Sequence, residues 1–174
     1  MVSSKHKADL SKTLAQGKRF AIIASRYHEE IIKELLDGAV KTLESLGAKA
    51  ADISTVWVPG SFEIPFAAHA VAQHQEVDAI VCLGVIIKGE TRHDQYIAGE
   101  VARGIANVSY QTNTPVVFGV LTTETLEQAK ARAGGSKGHQ GIEAAETAVT
   151  MIQVLEQIKS GKKKTSSGVG FGRM

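Results

Sequence analysis

VDAIVCLGVIIKGETRH, at residues 77–93, joins a long apolar run to a polar segment that begins at Lys88. Continuous apolar runs without alternation are typical of strands that are covered on both faces, as in parallel sheets. We therefore predict a strand over residues 77–87 and a long helix over about 91–111. The polar residues between them fall where a buried strand passes into a helix.

Apolar runs on both sides of this stretch repeat the order of strand and helix. Such alternation is typical of a parallel sheet that is connected by right-handed crossovers and covered by helices on both faces. We therefore predict a single three-layer α/β/α domain with a flavodoxin-like, four-stranded parallel sheet. The other predicted strands cover residues 20–24, 53–58 and 116–121, and the other helices cover about 31–46, 61–75, 123–131 and 140–158, with Ser61 and Thr122 or Thr123 as helix caps and a loop at 134–138.

The composition is that of one globular domain. The chain has 174 residues, of which 43% are hydrophobic and 22% charged, and this is enough to bury a core. We expect an N-terminal arm at residues 1–18, one domain at 19–159 and a flexible C-terminal tail at 160–174. The lysine run at 162–164 is more typical of a solvated tail than of a binding patch.

Charge and cysteine content argue against several classes of protein. The net charge of +2 and the 5% aromatic content do not indicate a nucleic-acid or membrane partner. No apolar stretch approaches the ~20 residues of a membrane helix, and residues 1–18 have no apolar signal core. The single cysteine, Cys82, lies in an apolar run and cannot form an internal disulfide. These features predict a reducing, cytoplasmic location.

Ligands of open parallel sheets bind outside the carboxyl ends of the strands, so the four strand-to-helix junctions are candidate sites. Tyr27, after the first strand, could stack on a flat ring or be an ordinary surface aromatic. Gly60, after the second strand, permits close backbone approach, and the amides that follow it can bind anions or polar ring edges. Glu63 in the same turn is more often a helix-capping carboxylate.

The junction at residues 88–93 has the chemistry of an anion site, because a glycine, a threonine hydroxyl, basic side chains and unpaired amides meet at a helix start. His93 can transfer protons near neutral pH, although a solvent-exposed helical histidine is the simpler interpretation. Arg132, near the fourth junction, could contact phosphate or be an ordinary surface arginine. No phosphate-loop or dinucleotide motif is present, and His69 and His74 lack the spacing of metal ligands.

Together the junctions resemble one enzyme family. VPGSFEIP at 58–65, GVIIKGETRH at 84–93, PVVFGVLTTE at 115–124 and RAG at 132–134 resemble the 6,7-dimethyl-8-ribityllumazine synthases, and the similarity covers about residues 19–158. The resemblance implies condensation of 5-amino-6-(D-ribitylamino)uracil with 3,4-dihydroxy-2-butanone 4-phosphate. The products would be the lumazine, phosphate and water, at the penultimate step of riboflavin biosynthesis. It also implies a reaction without a metal or an organic cofactor.

The resemblance implies roles for the junction residues. His93 is implied to transfer protons, and Tyr27 to stack on the pyrimidine. Phe118 and Arg132 are implied to come from the neighbouring subunit, with Phe118 beside the pyrimidine and Arg132 on the phosphate. The others are implied to bind the ribityl chain and ring edges (Gly60, Ser61, Phe62, Glu63, Val85, Ile86 and Ile87) or the phosphate (Lys88, Gly89, Glu90 and Thr91).

The resemblance further implies a homo-oligomer built from pentamers, which in the family remain single, stack as decamers or form 60-subunit shells. The short loop at 134–138 favours the 60-mer. The N-terminal arm shows no extra strand, and this argues against the 60-mer. Riboflavin synthase is a further candidate partner. The sequence departs from the family pattern at Gln140, where many members carry a lysine. Lys137 and His139 are the nearby residues that could supply the positive charge instead.

Three alternatives to this enzyme remain open at the level of sequence. The same scaffold could retain flavin or lumazine without efficient turnover, and Gln140 is the only support for that. The chain could also be a primarily structural shell protein. The last alternative is an unrelated flavodoxin-like phosphate binder, which would have no affinity for the ribityl pyrimidine.

Overall fold

The computed structural model describes residues 14–161. Its main sheet has four strands in the order β2-β1-β3-β4, and every neighbouring pair is parallel, which confirms the predicted sheet. The strands are β1 (Phe20–Ser25), β2 (Ile53–Val58), β3 (Ala79–Ile87) and β4 (Val116–Thr123), and the helices are α1 (Glu29–Ser45), α2 (Ile64–His74), α3 (His93–Thr112), α4 (Leu126–Ala131) and α5 (Gln140–Ser160).

The central strands β1 and β3 are buried because helices cover both faces of the sheet. One apolar cluster joins one face of the sheet to α1 and α5, and a second cluster joins the other face to α2 and α3. These layers confirm the predicted α/β/α architecture. Cys82, within β3, is fully buried as predicted, and burial raises the pKa of its thiol.

Ser61 does not cap a helix, contrary to the sequence prediction. It begins a single 3-10 turn, Ser61–Glu63, that precedes α2, and no side chain caps either segment. Pro65 lies in the first turn of α2 and has no N–H group, so one fewer amide there needs a partner. The Ser61 hydroxyl instead faces the sheet and donates to the Val85 carbonyl oxygen at 3.5 Å.

The predicted start of α4 is also wrong. Strand β4 continues to Thr123, because Thr123 pairs with Ile87 at the end of β3 and so prolongs the ladder. The helix therefore begins at Leu126, and Thr125 is its cap rather than Thr122 or Thr123. The Thr125 hydroxyl accepts a hydrogen bond from the Gln128 amide at 3.3 Å.

Residues 134–138, predicted as a loop, belong to a small antiparallel hairpin. Its strands are β5 (Ala133–Gly135) and β6 (Gly138–His139). Gly134 and Gly138 have φ angles of 105° and 98°, which side chains rarely adopt, and this explains how so short a segment can turn back on itself.

Residues 1–13 of the predicted arm and residues 162–174 of the predicted tail, including the lysine run at 162–164, lie outside the described residues. The described part of the arm packs on the domain: Ala15 is fully buried, and its amide donates to the Leu46 carbonyl oxygen at 2.9 Å. None of the helices within residues 14–161 is both long and apolar enough to cross a membrane.

Candidate active site

A cavity of about 710 Å³ opens at the carboxyl ends of the central strands. Parallel strands end at the same edge of a sheet, so the junctions that follow β1, β2 and β3 meet there. The cavity brings together most of the site residues predicted from the sequence, namely Tyr27, Gly60, Ser61, Phe62, Glu63, Val85, Ile86, Ile87, Gly89, Thr91 and His93.

Tyr27 and His28 form the wall after β1. The Tyr27 side chain is 68% exposed, and its ring meets the His28 ring edge-on at 4.9 Å between centroids. His28 has a left-handed backbone with φ of 61°, and its carbonyl oxygen accepts from the amides of Ile31 and Ile32 at the start of α1. Burial lowers the pKa of His28, which favours the neutral imidazole. This wall therefore presents the exposed ring of Tyr27 to the cavity.

The opposite wall and the floor come from the turn after β2 and the end of β3. Val85 and Ile86 are buried and line the floor. Ser61 fits against the sheet because residue 84 is glycine, and a Cβ atom there would lie 2.7 Å from the Ser61 Oγ. The close packing at Gly84 thus fixes the turn that carries Phe62 and Glu63 into the cavity.

The turn after β3 leads to His93, which is the first residue of α3, whereas the sequence predicted that this helix starts at about residue 91. The Thr91 hydroxyl accepts from the His93 amide at 3.4 Å. Lys88 does not line the cavity: its ammonium donates to the Glu124 carboxylate at 2.7 Å, a contact that raises the pKa of Lys88. Glu90 is exposed and also lies outside the cavity wall.

The sequence did not single out five residues that complete the wall. His28 adjoins Tyr27, and the others lie along the first two turns of α3: Asp94, Tyr96, Ile97 and Glu100. For Tyr96, Ile97 and Glu100 the signal is the spacing from His93, because residues three, four and seven positions apart share a helix face. Asp94 directly follows His93 and has no such signal.

The charged side chains of the cavity wall would not by themselves favour the binding of a phosphate group. Glu63, Asp94 and Glu100 line the wall, whereas no lysine or arginine of residues 14–161 does. Within the same range, no cluster of three histidine, cysteine, aspartate or glutamate side chains could hold a metal ion. A phosphate bound here would need a cation from elsewhere.

Phe118 and Arg132 lie away from the cavity of their own chain. Phe118, on the edge strand β4, is 38% exposed and lines a second cavity of about 390 Å³ together with Gln140. Arg132 follows α4 directly and is exposed. His139 packs its ring against Gly38 of α1, where a Cβ atom would come within 2.2 Å of that ring.

Comparison with known proteins relates this chain to one family. The family model described as 6,7-dimethyl-8-ribityllumazine synthase matches residues 17–156. Proteins of that name from two strains of Thermus thermophilus are each 48% identical over 144 residues, which cover 83% of this chain and 92% of the relative. The one from Syntrophus aciditrophicus is 46% identical over 147 residues, covering 84% and 96%. The chain belongs to the 6,7-dimethyl-8-ribityllumazine synthase family.

Proposed function

We propose that this chain is a transferase that condenses 5-amino-6-(D-ribitylamino)uracil with 3,4-dihydroxy-2-butanone 4-phosphate. The products are 6,7-dimethyl-8-ribityllumazine, phosphate and water, and the step is the penultimate one of riboflavin biosynthesis. The observation that carries the proposal is the cavity, which joins an exposed aromatic ring, a polar turn and a helix start with Gly89 and Thr91 in a chain of this family.

The proposed reaction is a series of bond changes that require the two substrates to be held in position and protons to be transferred. The 5-amino nitrogen attacks the ketone carbon, and the carbonyl oxygen leaves as water, which gives an imine. Loss of a proton from the adjacent carbon expels phosphate and leaves an enol. The enol becomes a ketone, on which the ribitylamino nitrogen closes the ring with loss of a second water. Holding the two substrates together supplies much of the rate enhancement.

The proposed roles follow the walls of the cavity. Tyr27 stacks on the pyrimidine, while residues 60–63 and 85–87 hold its ribityl chain and its ring edges. The amides and hydroxyl of residues 89–91 bind the phosphate, with Lys88 and Glu90 beside them, and the dipole of α3 favours the anion. His93, at the start of α3, moves protons between the reacting atoms.

We propose further that the site is shared between subunits of a homo-oligomer built from pentamers. The support is the charge of the wall: a phosphate needs a cation, and Arg132 is exposed outside the cavity of its own chain. Arg132 and Phe118 of one subunit would complete the cavity of the next. The 60-mer is weakly favoured over the pentamer and the decamer. Riboflavin synthase as a partner and the cytoplasmic location stay predictions.

Mixing the purified protein with the two substrates tests the activity. We expect a rise in lumazine absorbance that depends on both substrates and continues over many turnovers, because the proposed reaction leaves no group attached to the protein. A folded protein that binds the pyrimidine but forms no lumazine would favour the non-catalytic binding protein. A protein without affinity for the pyrimidine would favour the unrelated phosphate binder.

Light scattering at micromolar protein concentration tests the assembly. We expect no significant monomer, because a chain by itself leaves the phosphate without a cation and leaves Phe118 half-exposed on an edge strand. The measured mass separates the pentamer, the decamer and the 60-mer. A stable monomer with full activity would contradict the shared site.

A further inference from the structure

The ring of His28 supports the ring of Tyr27 at the cavity wall. The two rings lie nearly perpendicular, with an angle of 79° between their planes and 4.9 Å between their centroids. Edge-to-face contacts of this kind are favourable between aromatic rings. Both residues line the cavity, yet the Tyr27 side chain is largely exposed. The contact with His28 therefore restricts a ring that has little other packing.

The backbone of His28 holds its own ring in place. His28 is one of two non-glycine residues within residues 14–161 that have a positive φ angle, a conformation that few residue types adopt readily. Its carbonyl oxygen accepts from the amides of Ile31 and Ile32 at 3.0 and 3.1 Å, which anchors the turn to α1. Its side chain makes no capping hydrogen bond to that helix within the same range. The imidazole ring is thus available for the contact with Tyr27.

We propose that His28 is a positioning residue, which holds the Tyr27 ring in the orientation that stacks on the pyrimidine. The inference rests on the proposed function, because the stacking role of Tyr27 belongs to it. In either form of an edge-to-face pair, at least one face of the Tyr27 ring stays free for a ligand. A ring that is already ordered also loses less conformational freedom when the ligand binds, and this favours binding.

The position of His28 determines which substrate should depend on it. Tyr27 and His28 follow β1, whereas the proposed phosphate site at residues 89–91 follows β3. Loss of the His28 ring should therefore weaken binding of the pyrimidine and leave binding of the ketone phosphate almost unchanged. The effect should also act through Tyr27, so that it disappears when the Tyr27 ring is absent. A residue that only stabilised the fold would affect both substrates, with or without that ring.

Replacement of His28 by asparagine tests the proposal, because asparagine tolerates a positive φ angle but lacks the aromatic ring. We expect H28N to raise the Kd of 5-amino-6-(D-ribitylamino)uracil, titrated without the ketone, by about two- to tenfold. His28→Gly should have an effect of similar size, because glycine also adopts this backbone conformation freely. In both variants the KM for the ketone phosphate should stay within about twofold of its original value.

A double-mutant cycle separates a positioning role from direct contact with the ligand. In a Tyr27→Ala background, H28N should cause no further loss of pyrimidine binding. His74→Asn is the matched control, because it removes an exposed histidine at the end of α2, outside the cavity wall, and should leave the Kd unchanged.

Two results would overturn the proposal. One is an H28N protein that binds the pyrimidine as tightly as the unmodified protein does. The other is a loss from H28N that is equally large with and without the Tyr27 ring, which would assign His28 to direct contact with the ligand. If the unmodified protein does not bind the pyrimidine, it is the proposed function that fails, and the role of His28 fails with it.

Discussion

Replacing Arg132 with alanine is expected to lower kcat/KM for the ketone phosphate by about 100-fold or more, the size of effect found when a preorganised donor to a developing anion is removed. The wall that one chain provides has carboxylates but no lysine or arginine among its described residues. A guanidinium from the next subunit would therefore be the principal positive charge in contact with the phosphate, both when the substrate binds and when the phosphate leaves. Steady-state kinetics with each substrate varied in turn measures the effect.

The loss of activity in Arg132→Ala should concern the ketone phosphate and not the pyrimidine. Binding of the pyrimidine, measured by titration without the ketone, should change little, because Arg132 is proposed to contact only phosphate. Lys130→Ala is the matched control, since it removes an exposed cation from α4 two residues away. Equal losses for both substrates, or an equal loss in the Lys130 variant, would contradict the assignment of Arg132.

Mixed oligomers can show whether Arg132 acts in its own chain or in the next. A chain with Tyr27→Ala and His93→Ala should be inactive by itself, and Arg132→Ala should keep no more than about 1% of the activity. In oligomers assembled from equal amounts of the two, roughly a quarter of the sites would pair an intact cavity with an intact Arg132 of the neighbour. We expect that share of activity to return. If none returns in demonstrably mixed oligomers, the site is not shared.

The sheet could be predicted from sequence because strands that are buried on both faces appear as continuous apolar runs. The limits of β2 match the prediction of residues 53–58, and β3 ends at Ile87 as predicted. The caps could not be predicted, because they depend on tertiary contacts. Thr123 continues a ladder with β3, and Ser61 turns towards Val85, so neither residue is available as a cap.

The candidate site was predictable where turns form the cavity wall and less so where a helix face forms it. Gly60, Gly89 and Thr91 stand out in sequence because each belongs to a strand-to-helix junction. Asp94 gives no such signal, since an acidic residue in the first turn is common for its effect on the helix dipole. Only the placement of α3 beside the cavity shows that Asp94 lines the wall.

Gly141→Ala is expected to be the most damaging small substitution in the core. Gly141 is buried in the first turn of α5, where a Cβ atom would lie 2.0 Å from the Leu35 carbonyl oxygen of α1. That neighbour is backbone, so the two helices would have to separate. Overpacking of this kind costs about 3 kcal/mol or more when the neighbours cannot relax. For a chain of this length, that lowers Tm by about 10 °C.

Gly99→Ala provides the matched control, because a Cβ atom there meets nothing within 4 Å in the middle of α3. Alanine is favoured over glycine inside a helix by about 0.5–1 kcal/mol, so this variant should raise Tm slightly. Both proteins should be compared with the unmodified one at the same concentration, since association also contributes to stability. Equal Tm values for the two variants would mean that α1 and α5 are not packed as closely as their glycines indicate.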